Sequence, residues 1–167
     1  MQRRTLDFGT GQEVIEDIQH LQTVGYQKLG NWNLSENCDH LHRVMQSGLN
    51  GFQNFRVTPL LRWTIGPYYL RKLMKTRQMP TGYSTIKSLV PEGHEGDDSE
   101  KIADCIKSVR QIEAMEGPPF VHPIFGKMTV EEFKQLQWIH AGLHLSHLIP
   151  KSEAETSASQ KEKSAAT

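Results

Sequence analysis

Residues 129–150 read TVEEFKQLQWIHAGLHLSHLIP. Thr129 and Glu132 form a T-x-x-E capping box, which opens a helix, and Pro150 is the residue predicted to stop it. At about 100° per residue, Phe133, Leu136, His140, Leu143, His144 and His147 fall on one face. A face that apolar must pack against the rest of the chain, so its histidines point inward. His140 and His144 stand one turn apart with side chains on the same side. At that spacing two imidazoles can bind one ion. Buried histidines satisfied by hydrogen bonds are the plain alternative, and spacing alone does not choose between the two. Trp138 falls on the opposite side of this helix. There it either covers a neighbouring loop or helix, the favoured reading, or marks a partner surface such as a homodimer interface.

Working outward, helical periodicity dominates and strand-type alternation is nearly absent. A first helix is predicted from about Gln12 to Leu29, ended by Gly30-Asn31. A second follows Asn33, which with Glu36 forms an N-x-x-E capping box, and fades near Gly48 and Gly51. A third spans about Pro59 to Arg77, interrupted at Gly66-Pro67. A fourth starts at Asp98 or Ser99 and runs to about Glu116. Residues 78–97 and 117–128 are irregular and rich in Gly and Pro, and the stretches Met79 to Asp98 and Pro118 to Lys127 are read as candidate lids over the site. Residues 151–167 are polar and low in complexity, and are predicted to be disordered. The expectation is an all-α fold: one helical bundle domain over residues 1–150, built on four main helices.

Composition excludes several functions. The 167 residues carry 19 basic and 19 acidic side chains, so nothing in the net charge draws the chain to nucleic acid or an anionic membrane. No apolar run approaches the roughly 20 residues of a membrane span. The N-terminus carries no apolar signal segment, and Cys38 and Cys105 form no CxxC motif. Both features predict a cytoplasmic protein without a disulfide framework.

A metal held by His140 and His144 needs a third ligand from a facing helix. The second helix, LSENCDHLHRVM, offers His40 and His42 on opposite flanks of its apolar stripe. Periodicity leans slightly towards His42. Cys38 lies on the stripe itself and reads first as a small buried hydrophobe. His20, His94 and His122 read as structural or solvent-facing. Tyr83 and His122 are the loop groups best able to donate a proton, although packing at the bundle end is the favoured role for both.

Three stretches carry a family resemblance: Trp32 to Leu41 (WNLSENCDHL), residues 60–82 (LLRWTIGPYYLRKLMKTRQMPTG) and residues 122–144 (HPIFGKMTVEEFKQLQWIHAGLH). Together they resemble the DinB-like superfamily of metal-binding four-helix bundles, in a branch of undefined function, over about residues 10–149. The resemblance implies a ligand trio of His40, His140 and His144, and so selects His40 over His42. It also implies a divalent ion, zinc or nickel first, with iron or manganese also accepting three nitrogens. Relatives in the superfamily include thiol-dependent isomerases and S-transferases, which implies a metal-dependent enzyme acting with a low-molecular-weight thiol or another small substrate. A non-catalytic metal-binding bundle, acting in stress response or as an interaction module, is the alternative. Two positions depart from the branch pattern: Leu143 stands where a further histidine is frequent, and His147 where glutamine is usual. A purely structural site predicts a fourth protein ligand, with His147 or Cys38 as the donors. An enzyme site predicts a concave pocket and an open position.

Overall fold

The computed structural model describes residues 2–52, 63–80, 82, 87–93 and 96–151. Their order is α1 (Gly11–Val24), β1 (Tyr26–Lys28), α2 (Leu34–Asn50), α3 (Ile65–Thr76), a 3-10 turn (Lys87–Leu89), α4 (Ser99–Glu113), α5 (Val130–Leu145) and β2 (Leu148–Pro150). The fold is mostly helical, as expected. Pro59, Tyr83, His94 and the tail from residue 152 onward lie outside the described residues.

Helices α1, α2, α4 and α5 form the bundle. α2 packs most extensively on α4, α4 also on α1, and α5 lies against both α1 and α2, while α3 rests on α5 from outside. The core is built from the apolar stripes: Val14, Ile18 and Leu21 of α1, Leu34, Leu41 and Met45 of α2, Ile102, Val109 and Ile112 of α4, and Phe133 and Leu145 of α5. Each side chain removed from water in this way contributes on the order of 1.5–3 kcal/mol. Cys38 and Cys105, both free thiols, belong to this core. Hydrogen bonding to Cys105, and burial after it, push the Cys38 thiol pKa well up, so Cys38 stays a neutral small side chain.

Helix α5 is buried nearly all round, against the one-sided burial its histidine face suggested. The chain before α1 covers its back: Arg4 N donates to the Ser146 carbonyl at 3.1 Å, and the Arg4 guanidinium reaches Leu145 O at 3.0 Å. Arg4 is held in turn by both carboxylate oxygens of Asp17, at 2.6 and 2.8 Å. Trp138 is therefore interior, 2% exposed, close to Gly11 and Val109. It covers a neighbouring helix and presents no partner surface.

Three boundaries differ from expectation. α1 ends at Val24 because Gly25, at φ 73°, caps it, and the chain continues as β1 rather than as helix. α5 ends at Leu145, before Pro150, because Leu148–Pro150 pairs antiparallel with Tyr26–Lys28. These two short strands tie the end of α1 to the end of α5. In α3, Pro67 lies in the first turn of a helix that begins at Ile65, where a proline costs no hydrogen bond. Among the described residues no helix is long and apolar enough to cross a membrane.

Candidate metal centre

Two helices bring three imidazoles together. The capping box at Asn33 sets the start of α2: Asn33 Oδ1 accepts from Glu36 N at 2.8 Å, and Glu36 Oε2 accepts from Asn33 N at 2.6 Å. His40 then follows two turns in, buried at 2% exposure. The second capping box, Thr129 with Glu132, starts α5 and presents His140 and His144 one turn apart. The helices come close because Gly48 of α2 has no side chain: a Cβ there would lie 2.1 Å from Cζ of Phe133 on α5.

The ring nitrogens converge through Nε2. His144 Nε2 lies 3.0 Å and His40 Nε2 3.4 Å from His140 Nε2, and one ligand atom from each of the three can be chosen so that all lie within 4.8 Å of one another. Bonds of about 2.05 Å in a tetrahedron place neighbouring nitrogens roughly 3.3 Å apart, so the spacing suits a shared ion.

Hydrogen bonds at the outer edges orient two of the rings. His40 Nδ1 lies 2.7 Å from the Leu89 carbonyl. A carbonyl only accepts, so Nδ1 carries the proton and Nε2 keeps its lone pair. His144 Nδ1 lies 3.3 Å from Asn37 Oδ1. The Asn37 amide cannot be turned round, since its Nδ2 already donates to Trp32 O at 3.3 Å and Asn33 O at 2.8 Å. His144 must therefore donate from Nδ1, which again leaves Nε2 with a lone pair. Two lone pairs thus face His140 Nε2. Either a proton on that nitrogen serves both, or a cation takes all three lone pairs. The donor set fits a divalent ion: three neutral nitrogens of borderline softness, two of them aligned from behind.

Burial keeps the rings neutral. It lowers the pKa of His140 to about 3, with a further contribution from the charge of His40. It lowers His144 well below the ordinary value and His40 in the same direction. Neutral imidazole is the metal-binding form. Trp32 closes one side, stacked on His144 with ring centres 5.5 Å apart and planes 11° apart.

The remaining candidates fall elsewhere. His42 turns to α4, its Nδ1 2.8 Å from Ser108 Oγ, so His40 is the α2 histidine at the cluster. His20 is exposed. His147 lies beyond the end of α5, beside Gly30. Neither His147 nor Cys38 joins the cluster, and among the described residues no fourth protein ligand does.

The trio borders a cavity of about 870 Å³. Both irregular segments line it, through Met79, Leu89 and Val90 and through His122, Ile124 and Phe125. None of the described residues lining the cavity is an Asp, Glu, Lys or Arg. Sequence reasoning missed Asn37, Trp32 as a stacking ring, the Leu89 carbonyl and Gln137. Asn37 could have been found, since it lies three residues before His40, one helical turn away. The Leu89 carbonyl left no signal, because a backbone acceptor in a loop has no residue type.

No curated protein and no solved structure matches the chain. Residues 1–151 match the family described as protein of unknown function DUF1569, and the chain belongs to that family.

Proposed function

We propose that this chain is a metal-dependent enzyme of the DinB-like superfamily, with His40, His140 and His144 as ligands of one divalent ion, zinc or nickel. The observation that carries this reading is the convergence of three Nε2 atoms at the edge of a cavity, with no fourth protein ligand among the described residues. Three protein nitrogens leave a coordination position for water or substrate, which is the arrangement of catalytic rather than structural sites. Bound there, the ion would lower the pKa of a water or a small thiol and supply a nucleophile at neutral pH.

The chain's own residues supply the rest. Leu89 O and Asn37 hold two rings in the ligating tautomer, Trp32 shields one flank, and the apolar walls exclude water from the electrophile. The lining favours water or an uncharged thiol as the nucleophile, because no cationic side chain among the described lining residues would receive the carboxylates of a charged one.

Metal content by mass spectrometry on tag-free protein tests the reading. Near-stoichiometric metal in the parent, lost in both His40→Ala and His140→Ala, is expected, and turnover in a screen of small thiols and of hydrolysable esters and amides should then depend on the ion. Metal retained at parental level in His140→Ala would refute it. Stoichiometric metal with no turnover across that screen would favour the non-catalytic bundle.

A further inference from the structure

The cavity beside the three histidines has two unlike walls. One is built by α2, α5 and the residues ahead of α2, and it carries His40, His140 and His144, with Trp32 stacked on the last. The other is largely hydrocarbon: Ile65 and Leu73 of α3, Met79 and Pro80 beyond it, and Ile124 and Phe125 of the turn closed by the His122–Gly126 bridge. Helix α3 and that turn make one continuous surface, because Gly66 lets them lie backbone to backbone. A Cβ at Gly66 would stand 2.0 Å from the Ile124 carbonyl.

Two polar side chains stand on the hydrocarbon side, His122 and Tyr69. His122 is held between the rings of Phe125 and Phe52, at 4.7 and 4.8 Å, and its Nδ1 accepts from Ile124 N and Phe125 N at 3.1 Å each. Tyr69 is 41% exposed, and a tyrosine so placed keeps its ring on apolar surface and its hydroxyl in water. Gln137 and His147 belong to the imidazole side; Gln137 is buried, and His147 lies beyond the end of α5. The mouth is apolar too, since Ile65 and Val90 line the cavity while 48% and 42% exposed. With no charged side chain among the described lining residues, an ionised or polyhydroxylated body would give up its hydration along this wall without finding partners. An apolar body gains roughly in proportion to the area it covers. A cavity of about 870 Å³ has the size of sites that take drug-sized molecules.

We propose that the substrate of this centre is a long apolar molecule with a single polar reactive group, its hydrocarbon body on the wall of α3 and the His122 turn and its reactive group at the three imidazoles. The placing of the reactive group rests on the metal reading above; the seating of the body does not.

The test titrates the full zinc-loaded chain, by calorimetry, with aceto-, butano-, hexano- and octanohydroxamic acid, which share one zinc-binding head and differ only in the chain behind it. Affinity is expected to rise about three- to fourfold for each methylene added. The octano chain with two methylenes replaced by ether oxygens should bind at least about tenfold more weakly than the hydrocarbon one. A second series, hexanol, heptanol and octanol on the chelated chain, asks for the same rise without an ion, read by tryptophan fluorescence because Trp32 lines the cavity. Ile65→Asp locates the seat. Ile65 is the first residue of α3, where an acidic side chain suits the helix. The variant should weaken octanohydroxamate and octanol at least about tenfold and leave acetohydroxamate within about twofold. Affinities that do not rise with chain length, an ether chain that binds as tightly as the hydrocarbon, or equal losses for the short and long hydroxamates in Ile65→Asp would each overturn the proposal, and zinc uptake would still leave the metal reading standing. No zinc uptake, with the rise along the alkanols intact and lowered by Ile65→Asp, would refute the metal reading and uphold the apolar seat.

Discussion

Asn37 shows how one side chain sets the state of another. Both hydrogens of its amide are engaged by the carbonyls of Trp32 and Asn33, so its oxygen is the atom left for His144. Replacing it with leucine keeps a side chain of similar size but removes the acceptor. Asn37→Leu is expected to weaken zinc binding roughly 10- to 100-fold with the three ligands intact, read by competition with a chromophoric chelator; unchanged affinity would show that Asn37 does not orient the ring. Protonation is the second expectation at this scale. His122 has a folded value of about 4 against an ordinary 6.5, so between those values the unfolded chain binds the extra proton. The stability this confers is present above pH 6.5 and is lost as pH falls towards 4. The slope is about 1.4 kcal/mol per pH unit. Metal-free protein should therefore lose at least about 2 kcal/mol between about pH 6.5 and pH 5 in urea titrations, His140 and His144 adding in the same direction; a flat profile would contradict the burial of these rings. The choice between His40 and His42 illustrates how far the sequence alone could go. The two flank one stripe, and periodicity cannot tell a flank facing α5 from one facing α4. The family resemblance selects His40, and the packing order of the helices supplies the physical reason: His40 faces α5 and His42 faces α4.

Helix starts were legible because they are local chemistry. Asn33 with Glu36 and Thr129 with Glu132 each satisfy two backbone donors within a span of four residues. Helix ends at Val24 and Leu145 lie earlier than expected: Gly25 caps the first, and beyond both ends the chain is held by the pairing of two strands more than a hundred residues apart, each too short to show alternation. The inward face of α5 was legible, but its buried back was not, since the covering segment before α1 has no period of its own. Gly66 offers a test at this scale. A Cβ there would lie 2.0 Å from the Ile124 carbonyl, so α3 touches the His122 turn backbone to backbone. Gly66→Ala must push the two apart and is expected to cost about 1–3 kcal/mol. Zinc should still bind, because the ligands stand on α2 and α5. A variant as stable as the parent in urea melts would refute the close approach, and loss of zinc would mean that α3 supports the ligands directly.

Across the whole molecule, the ligands join parts of the chain that the sequence keeps far apart. His40 and His140 are separated by 100 residues, and the helices carrying them meet in the core at Gly48 and Phe133 and through the His144–Asn37 hydrogen bond. An ion bound to both adds a cross-link that the unfolded chain cannot make without closing a long loop. Folding and metal binding are thereby linked, and the linkage has a size. At free zinc about a thousandfold above its dissociation constant, the unfolding free energy should rise by about 4 kcal/mol. For a domain of this length that corresponds to an upward shift in Tm of roughly 10 °C. The shift should grow with the logarithm of zinc concentration, reverse on adding chelator and vanish in His140→Ala, and scanning calorimetry over a zinc series reads all three. A saturating shift of a degree or less would mean that the ion binds folded and unfolded chains alike, as isolated surface histidines would. A shift that persisted in His140→Ala would place the ion elsewhere, on a site that does not bridge α2 and α5.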